Sequence, residues 1–526
     1  MTGETGDPHP ASAEIAALDA VALSERLGCG TLTSVEVVER MVARIEGLDF
    51  GTSGLHSVLE LAPDAIEVAA ALDVERRAGR VRSPLHGIPV LVKDNIDTVA
   101  PLHTTAGSLV FGDTSPAHDA TLVRALRGAG AILIGKTNLS EWANFRSRPS
   151  SSGWSAAGGQ TRNPHALDRS PAGSSSGSGA AVAARLAPLA VGTETDGSIL
   201  CPSAACGVLG LKPTLGLVSR TGVVPIAASQ DTAGPMTRTA RDLGLLLGAL
   251  AHAVDDGEDA AATRARRPDG YDPASFGSAC DGNLTGLRIG VVRSGAYSGY
   301  HPPTDRVFET ALEAVADAGA QLVDPLDGLA DPSVWADDEL TVLLHEFRVG
   351  MEGYLGRRAG ASSADARIPR TLDDVLAHAA RDPRERTDLF GTDLIGLAAV
   401  TGGLGAATYR AAFDRIKEAT RTRGLDTLFA QGVDVLALPA AHPAWPIDHV
   451  LGDHIAGNGV SAPAVAGYPS AAMPIGRVDG LPVAVALVGP AWSEPILLRV
   501  LVALERQLGT TVTAPVPRFV ERTTPS

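Results

Sequence analysis

Seven short, largely apolar runs recur along this chain, and they constrain its fold more than any other feature. They are IPVLV (88–92), AILIG (131–135), APLAVG (187–192), LRIGVV (287–292), QLVDPL (321–326), VDVLALPA (433–440) and VAVALVG (483–489). A strand with one wet face alternates apolar and polar residues, whereas a strand covered on both faces reads as a continuous apolar run. A helical segment, DATLVRALRGAG (119–130), separates the first pair. The pattern predicts an α/β fold: a mixed, mostly parallel central sheet covered by helices on both faces.

The remaining segments fit around that layer. From Ser12 to Gly79 apolar residues recur at helical spacing, giving two to four amphipathic helices, with a capping box TSVE at 33–36. Residues 333–430 read as mostly helical, a helical excursion over one face of the sheet. Residues 255–283 are polar and turn-rich, a surface excursion. Residues 1–11 read as a frayed tail, 12–526 as one large domain, and Leu497–Leu508 as a closing helix.

Composition excludes several functions. The formal net charge is −16, and no Lys/Arg cluster is denser than RARR at 264–267. Binding phosphates needs a basic stripe, so no nucleic-acid partner is expected. Four cysteines (Cys29, Cys201, Cys206, Cys280) are too scattered for a disulfide framework, and no His/Cys pair completes a metal pattern. The N-terminal MTGETGDPHPASAEIAAL lacks the basic and apolar segments of a secretory signal. The longest apolar stretches reach about ten residues, half of what spans a bilayer. A cytoplasmic protein without a membrane role is the expectation.

Chemistry concentrates in PAGSSSGSGAAVAARLAPLAVGTETDGSILCPSAACGVLGLKPT (171–214). Ser174 and Ser198 stand in glycine-rich turns, separated by a predicted helix (176–187) and strand (188–193). Two formal motif matches fail on context. GAILIGKT (130–137) has the spacing of a phosphate loop, but its middle residues read as a buried strand rather than a curled backbone. GSSSG (173–177) has the nucleophile-elbow spacing around Ser175, but a polar, proline-bearing segment precedes it where a strand is needed. A serine–lysine reading explains more. Serine is a poor nucleophile until a base takes its proton, and lysine is a base only when burial or cationic neighbours make it neutral. Lys93 follows the apolar run 88–92, and glycine beside Ser198 permits a turn whose N–H groups meet an oxyanion.

These residues resemble the amidase signature family. Lys93, Gly173-Ser174-Ser175, Asp196-Gly197-Ser198 and GLKPT (210–214) run in the family's order and spacing, and GIPVLVKDN, GKTNLSE and SQDTAGPM extend the likeness over residues 85–240. The resemblance implies the amidase signature fold, with Ser198 as nucleophile, Ser174 as a bridging residue at an unusual cis peptide, and Lys93 as terminal base. It implies an oxyanion hole from the backbone N–H groups of Thr195, Asp196, Gly197 and Ser198, supporting roles for Ser175 and Asp231, and no metal or organic cofactor. SEWANFR (140–146), SGWSAAGGQTRNP (152–164), LLHEFRVGMEGYL (343–355) and AVAGYP (464–469) are similar to the peptide amidase branch, which implies release of ammonia from a peptide C-terminal amide. The chain departs from most relatives at Asp196, where they carry a second glycine, and at Ile199-Leu200-Cys201-Pro202. That speaks against a glutaminyl-tRNA amidotransferase subunit, which would need a partner, while aryl-acylamide or ester cleavage stays open on the same scaffold. In the helical excursion Glu346, Phe347 and Tyr354 are candidate pocket residues at helical spacing. The expected partner is a small-molecule or short-peptide amide, and the expected state a monomer or homodimer.

Overall fold

The computed structural model describes residues 10–252, 267–273, 276, 282–294, 296–361, 368–457 and 459–509. Its centre is an eleven-stranded sheet. In chain order the strands are β1 (Val58–Leu61), β2 (Pro89–Lys93), β3 (Ile132–Thr137), β4 (Leu189–Glu194), β5 (Leu209–Lys212) and β6 (Thr232–Thr237), then β7 (Arg288–Val292), β8 (Gln321–Leu326), β9 (Val435–Pro439), β10 (Ser470–Val478) and β11 (Leu481–Val488). Across the sheet they run β1-β3-β2-β4-β6-β5-β10-β11-β9-β7-β8. All seven apolar runs lie in strands.

The sheet is mixed and flanked by helices, as expected. Its parallel pairing is confined to two flanks, β3-β2-β4 and β9-β7-β8. The middle and the β1 edge are antiparallel, so the mostly parallel expectation is corrected there. One cause is local: Asp479 and Gly480, both at positive φ (49° and 81°), form a two-residue turn that folds β10 directly against β11. Another is that β5 and β6, built from LGLK and TAGPMT, carry glycine and proline and give no apolar run.

Near the N-terminus the helix Ser34–Leu48 (α1) starts at the predicted capping box, with Thr33 and Glu36 bonded reciprocally. Three further helices, Pro10–Ala17, Ala20–Gly28 and Ala65–Arg77, complete that segment. The helix α2 (Ser176–Ala183) joins the first serine turn towards β4, and the helix α3 (Leu200–Cys206) follows the second turn. Between residues 333 and 430 the described residues are mostly helical, led by α4 (Ala336–Ala361). An aromatic cluster fastens this layer to the sheet side: Phe347 packs on Phe145 at 4.8 Å, and Phe111 lies against Trp142 and Tyr354. The surface excursion anticipated at 255–283 lies largely outside the described residues, as does most of the 1–11 tail.

Candidate active site

Neighbouring strand ends deliver the site. β2 ends in Lys93 and pairs in parallel with β4, which ends in Thr193 and Glu194, so residues 93–95 and 193–198 leave the sheet side by side. Lys93 is fully buried. Its Nζ lies 2.8 Å from Ser174 Oγ, 2.8 Å from Thr193 Oγ1 and 3.3 Å from Thr193 O. Asn95 donates to the same Thr193 hydroxyl at 3.0 Å. Among the described residues no carboxylate forms an ion pair with Lys93, so burial dominates and holds the amine well below the usual lysine range, against weaker attraction from Glu194 and Asp231. A neutral amine has two N–H donors and one lone pair. If Lys93 is neutral, its lone pair can accept from the Ser174 hydroxyl while its two N–H groups donate to the two oxygens of Thr193.

Ser174 follows a cis peptide bond from Gly173. Ser175 is held on both sides: its hydroxyl donates to Thr193 O (3.0 Å) and accepts from Thr193 N–H (3.1 Å), while its own N–H donates to Ser198 O (3.1 Å). Gly192 permits this approach, since a Cβ there would stand 2.8 Å from Ser175 Oγ. The two serine turns are therefore joined through Ser175. The geometry excludes the elbow reading, because Ser175 enters α2 from an irregular segment rather than from a strand.

The turn 195–198 is pinned from behind. Gly197 has φ 74°, and a Cβ there would meet Cys201 Sγ at 2.8 Å and Val460 at 3.0 Å. Glu194 accepts from Ile199 N–H (2.8 Å) and Leu200 N–H (3.0 Å) at the start of α3. Asp231 accepts from the Thr195 hydroxyl (2.6 Å) and from Ile226 and Ala227 N–H (2.8 and 2.9 Å), and burial pushes it up to about 6. Among the described residues the N–H groups of Thr195, Asp196, Gly197 and Ser198 have no protein acceptor, and the Ser198 hydroxyl has no protein partner. Free N–H groups beside a free hydroxyl are what a tetrahedral oxyanion and its nucleophile need.

The pocket candidates on α4 are buried and engaged. Glu346 accepts from Ser229 N–H (2.8 Å) and the Tyr409 hydroxyl (2.7 Å), Phe347 packs on Phe145, and Tyr354 donates to Asp97 (2.8 Å). The residue of α4 that does reach the turn is Glu339, two helical turns earlier on the same face as Glu346. Gln230 Nε2 bridges Glu339 (2.8 Å) and Thr195 O (3.3 Å). Sequence reasoning missed Thr193, Glu194, Gln230 and Glu339. The first two stand inside the quoted GTETDGSI, and Glu339 could have been found at i−7 from Glu346.

Lys136, the lysine of the rejected phosphate loop, points into β3's own surroundings. It donates to Ile96 O, Thr98 Oγ1, His103 O and Thr104 Oγ1 at 2.7–3.1 Å, with Asp94 at 3.5 Å. Among the described residues no group of His, Cys, Asp and Glu could hold a metal ion, and no helix is long and apolar enough to cross a membrane.

A family model described as amidase matches residues 36–498. The chain is similar to the native peptide amidase of Stenotrophomonas maltophilia, with 44% identity, a TM-score of 0.87 and coverage of 96% of this chain and 99% of that one. It is 35% identical over 505 residues to a glutamyl-tRNA(Gln) amidotransferase subunit of Chloroflexus aurantiacus, covering 94% of this chain and 97% of the relative. It is 34% identical over 496 residues to a probable amidase of Arabidopsis thaliana, covering 93% and 89% respectively.

Proposed function

The chain belongs to the amidase signature family and is a hydrolase of amide C–N bonds, and on that premise we propose that it cleaves peptide C-terminal amides through a Ser198–Ser174–Lys93 relay. The observation that carries the relay is the buried Lys93 amine 2.8 Å from Ser174 Oγ, with no carboxylate in an ion pair with it among the described residues. Neutral Lys93 takes the Ser174 proton while Ser174 takes that of Ser198. Ser198 Oγ then attacks the amide carbonyl, and the oxyanion meets the N–H groups of residues 195–198. The C–N bond breaks as the proton returns along the relay to the leaving ammonia. Water, deprotonated by the same path, hydrolyses the acyl-enzyme to the free acid. The Ser198–Ser174 hydroxyl contact closes as substrate fills the site, since such bonds tighten in the reactant complex. The relay needs no cofactor.

The substrate reading rests on the likeness to peptide amidase over nearly the whole chain and on the wording at 140–164 and 343–355. A second reading, an amidotransferase subunit working with a partner, is favoured by the relatives of that name at 35% identity. Asp196 and the Ile199–Pro202 segment weigh against it. The purified chain, alone, on a panel of peptide amides, amino-acid amides, aryl amides and esters tests both. The highest kcat/KM is expected on peptide C-terminal amides. Turnover only with added partner subunits would favour the second reading.

A further inference from the structure

The Thr193 hydroxyl that touches the Lys93 amine has a second neighbour, Asn95. Thr193 Oγ1 lies 2.8 Å from Lys93 Nζ and 3.0 Å from Asn95 Nδ2. An amide nitrogen only donates, so Asn95 fills one of the two lone pairs on that oxygen. The other lone pair and the hydroxyl hydrogen remain, and among the described residues Lys93 is their one further hydrogen-bonding neighbour. As an ammonium group Lys93 donates to Ser174 Oγ, Thr193 Oγ1 and Thr193 O, and the Thr193 hydrogen finds no acceptor. As a neutral amine it offers a lone pair to the hydroxyl hydrogens of Ser174 and Thr193. A donor resting on Thr193 makes that hydroxyl a poorer acceptor and a better donor, which favours the neutral amine.

Asn95 is 2% exposed, and its Oδ1 is buried without a partner. Its backbone carbonyl accepts from Val224 N–H, a contact that needs no side chain. A buried acceptor left unpaired costs stability, so local packing does not account for an amide here. The charged groups that face Lys93 are Glu194 at the end of β4 and Asp231 ahead of β6. The turn before α2 contributes the uncharged Ser174, and Asp94 is directed to Lys136.

We propose that Asn95 is a positioning residue: by donating to Thr193 it turns that hydroxyl's hydrogen towards Lys93 and so keeps the base unprotonated. It acts on the relay through Thr193 and touches no reacting atom itself. This rests on the reading of Lys93 as the base.

The test follows kcat/KM on one peptide amide from acid to alkaline pH in wild type, Asn95→Leu, Thr193→Val, the Asn95→Leu/Thr193→Val double variant and Lys93→Met. Leucine keeps the branched shape of the amide without its donor. Asn95→Leu is expected to move the acid limb about one unit to higher pH, about tenfold in kcat/KM on the limb, with the alkaline plateau nearly unchanged. Added to Thr193→Val, the same substitution is expected to move the limb no further, because the hydroxyl it acts through is gone. An amide that only packs would change stability or the plateau and leave the limb in place. A limb unmoved or moved to lower pH in Asn95→Leu, or an equal shift in the Thr193→Val background, would overturn the proposal. If the leucine variant does not fold, Asn95→Ala is read by the same outcomes. Activity surviving in Lys93→Met would instead overturn Lys93 as the base, and this proposal with it.

Discussion

Lys93 and Lys136 occupy adjacent parallel strands one register step apart, Val92 facing Lys136 and Lys93 facing Thr137. Both are fully buried, and burial lowers both. Their partners differ. Lys136 donates to four oxygens and has Asp94 at 3.5 Å, a set suited to an ammonium ion. Lys93 meets Ser174 and Thr193, and the carboxylates nearest in charge, Glu194 and Asp231, are occupied with the N–H groups of Ile199, Leu200, Ile226 and Ala227. Burial alone therefore does not make a lysine a base. What matters is whether the surrounding acceptors keep its proton.

The largest expected effect separates the two lysines by activity. Lys93→Met and Ser198→Ala should each lower kcat by more than about a thousandfold, since members of a relay fail as a unit. The melting temperature of Lys93→Met should hold or rise, because the desolvation of a buried amine is removed. Lys136→Met should do the reverse, losing about 3–5 kcal/mol in urea unfolding as buried Asp94 loses its counter-ion and four oxygens lose a donor. Equal destabilisation by both substitutions would break the comparison.

A third prediction concerns pH. Protonated Lys93 cannot accept the Ser174 proton, so kcat/KM should fall as pH drops below the depressed Lys93 value, about tenfold per unit. A profile flat down to acid pH would contradict a lysine base. The smallest effect is expected at Tyr354. Tyr354→Phe removes the donor to buried Asp97 and an acceptor of Arg358 and should cost about 1–3 kcal/mol of stability with little change in kcat/KM. A large KM change there would show that this part of α4 borders the substrate.

Much of this was legible in the sequence, for physical reasons that can be named. Apolar runs announce strands that must be covered on both faces, and all seven became strands. β1, inside the stretch read as helices, and β5, β6 and β10 were not announced; in the last three, small residues, glycine and proline serve close packing. Gly192 makes room for Ser175, and a Cβ at Gly234 would strike Leu211 O at 2.1 Å. The Asp479-Gly480 turn was a readable hairpin signal that the apolar pattern alone passes over. Lys93, Ser174 and Ser198 were legible because three separated turns agree in residue type and order. Glu339 was legible only as a position on the helix face of Glu346; its place at the turn was not, since 141 positions separate it from Ser198 and only the fold brings α4 there. Ser175 joins the two serine turns because helix α2 and strand β4 fold one back on the other, a relation that spacing hints at and cannot specify.

Single-turnover acylation of the enzyme by a peptide amide, followed across pH in wild type and in Lys93→Met, tests the central claim most directly. The predicted result is acylation that rises with pH through one group titrating below the ordinary lysine range, and that falls by more than about a thousandfold in the variant. Acylation that ignores pH, or that survives the loss of Lys93, would contradict a lysine-driven relay.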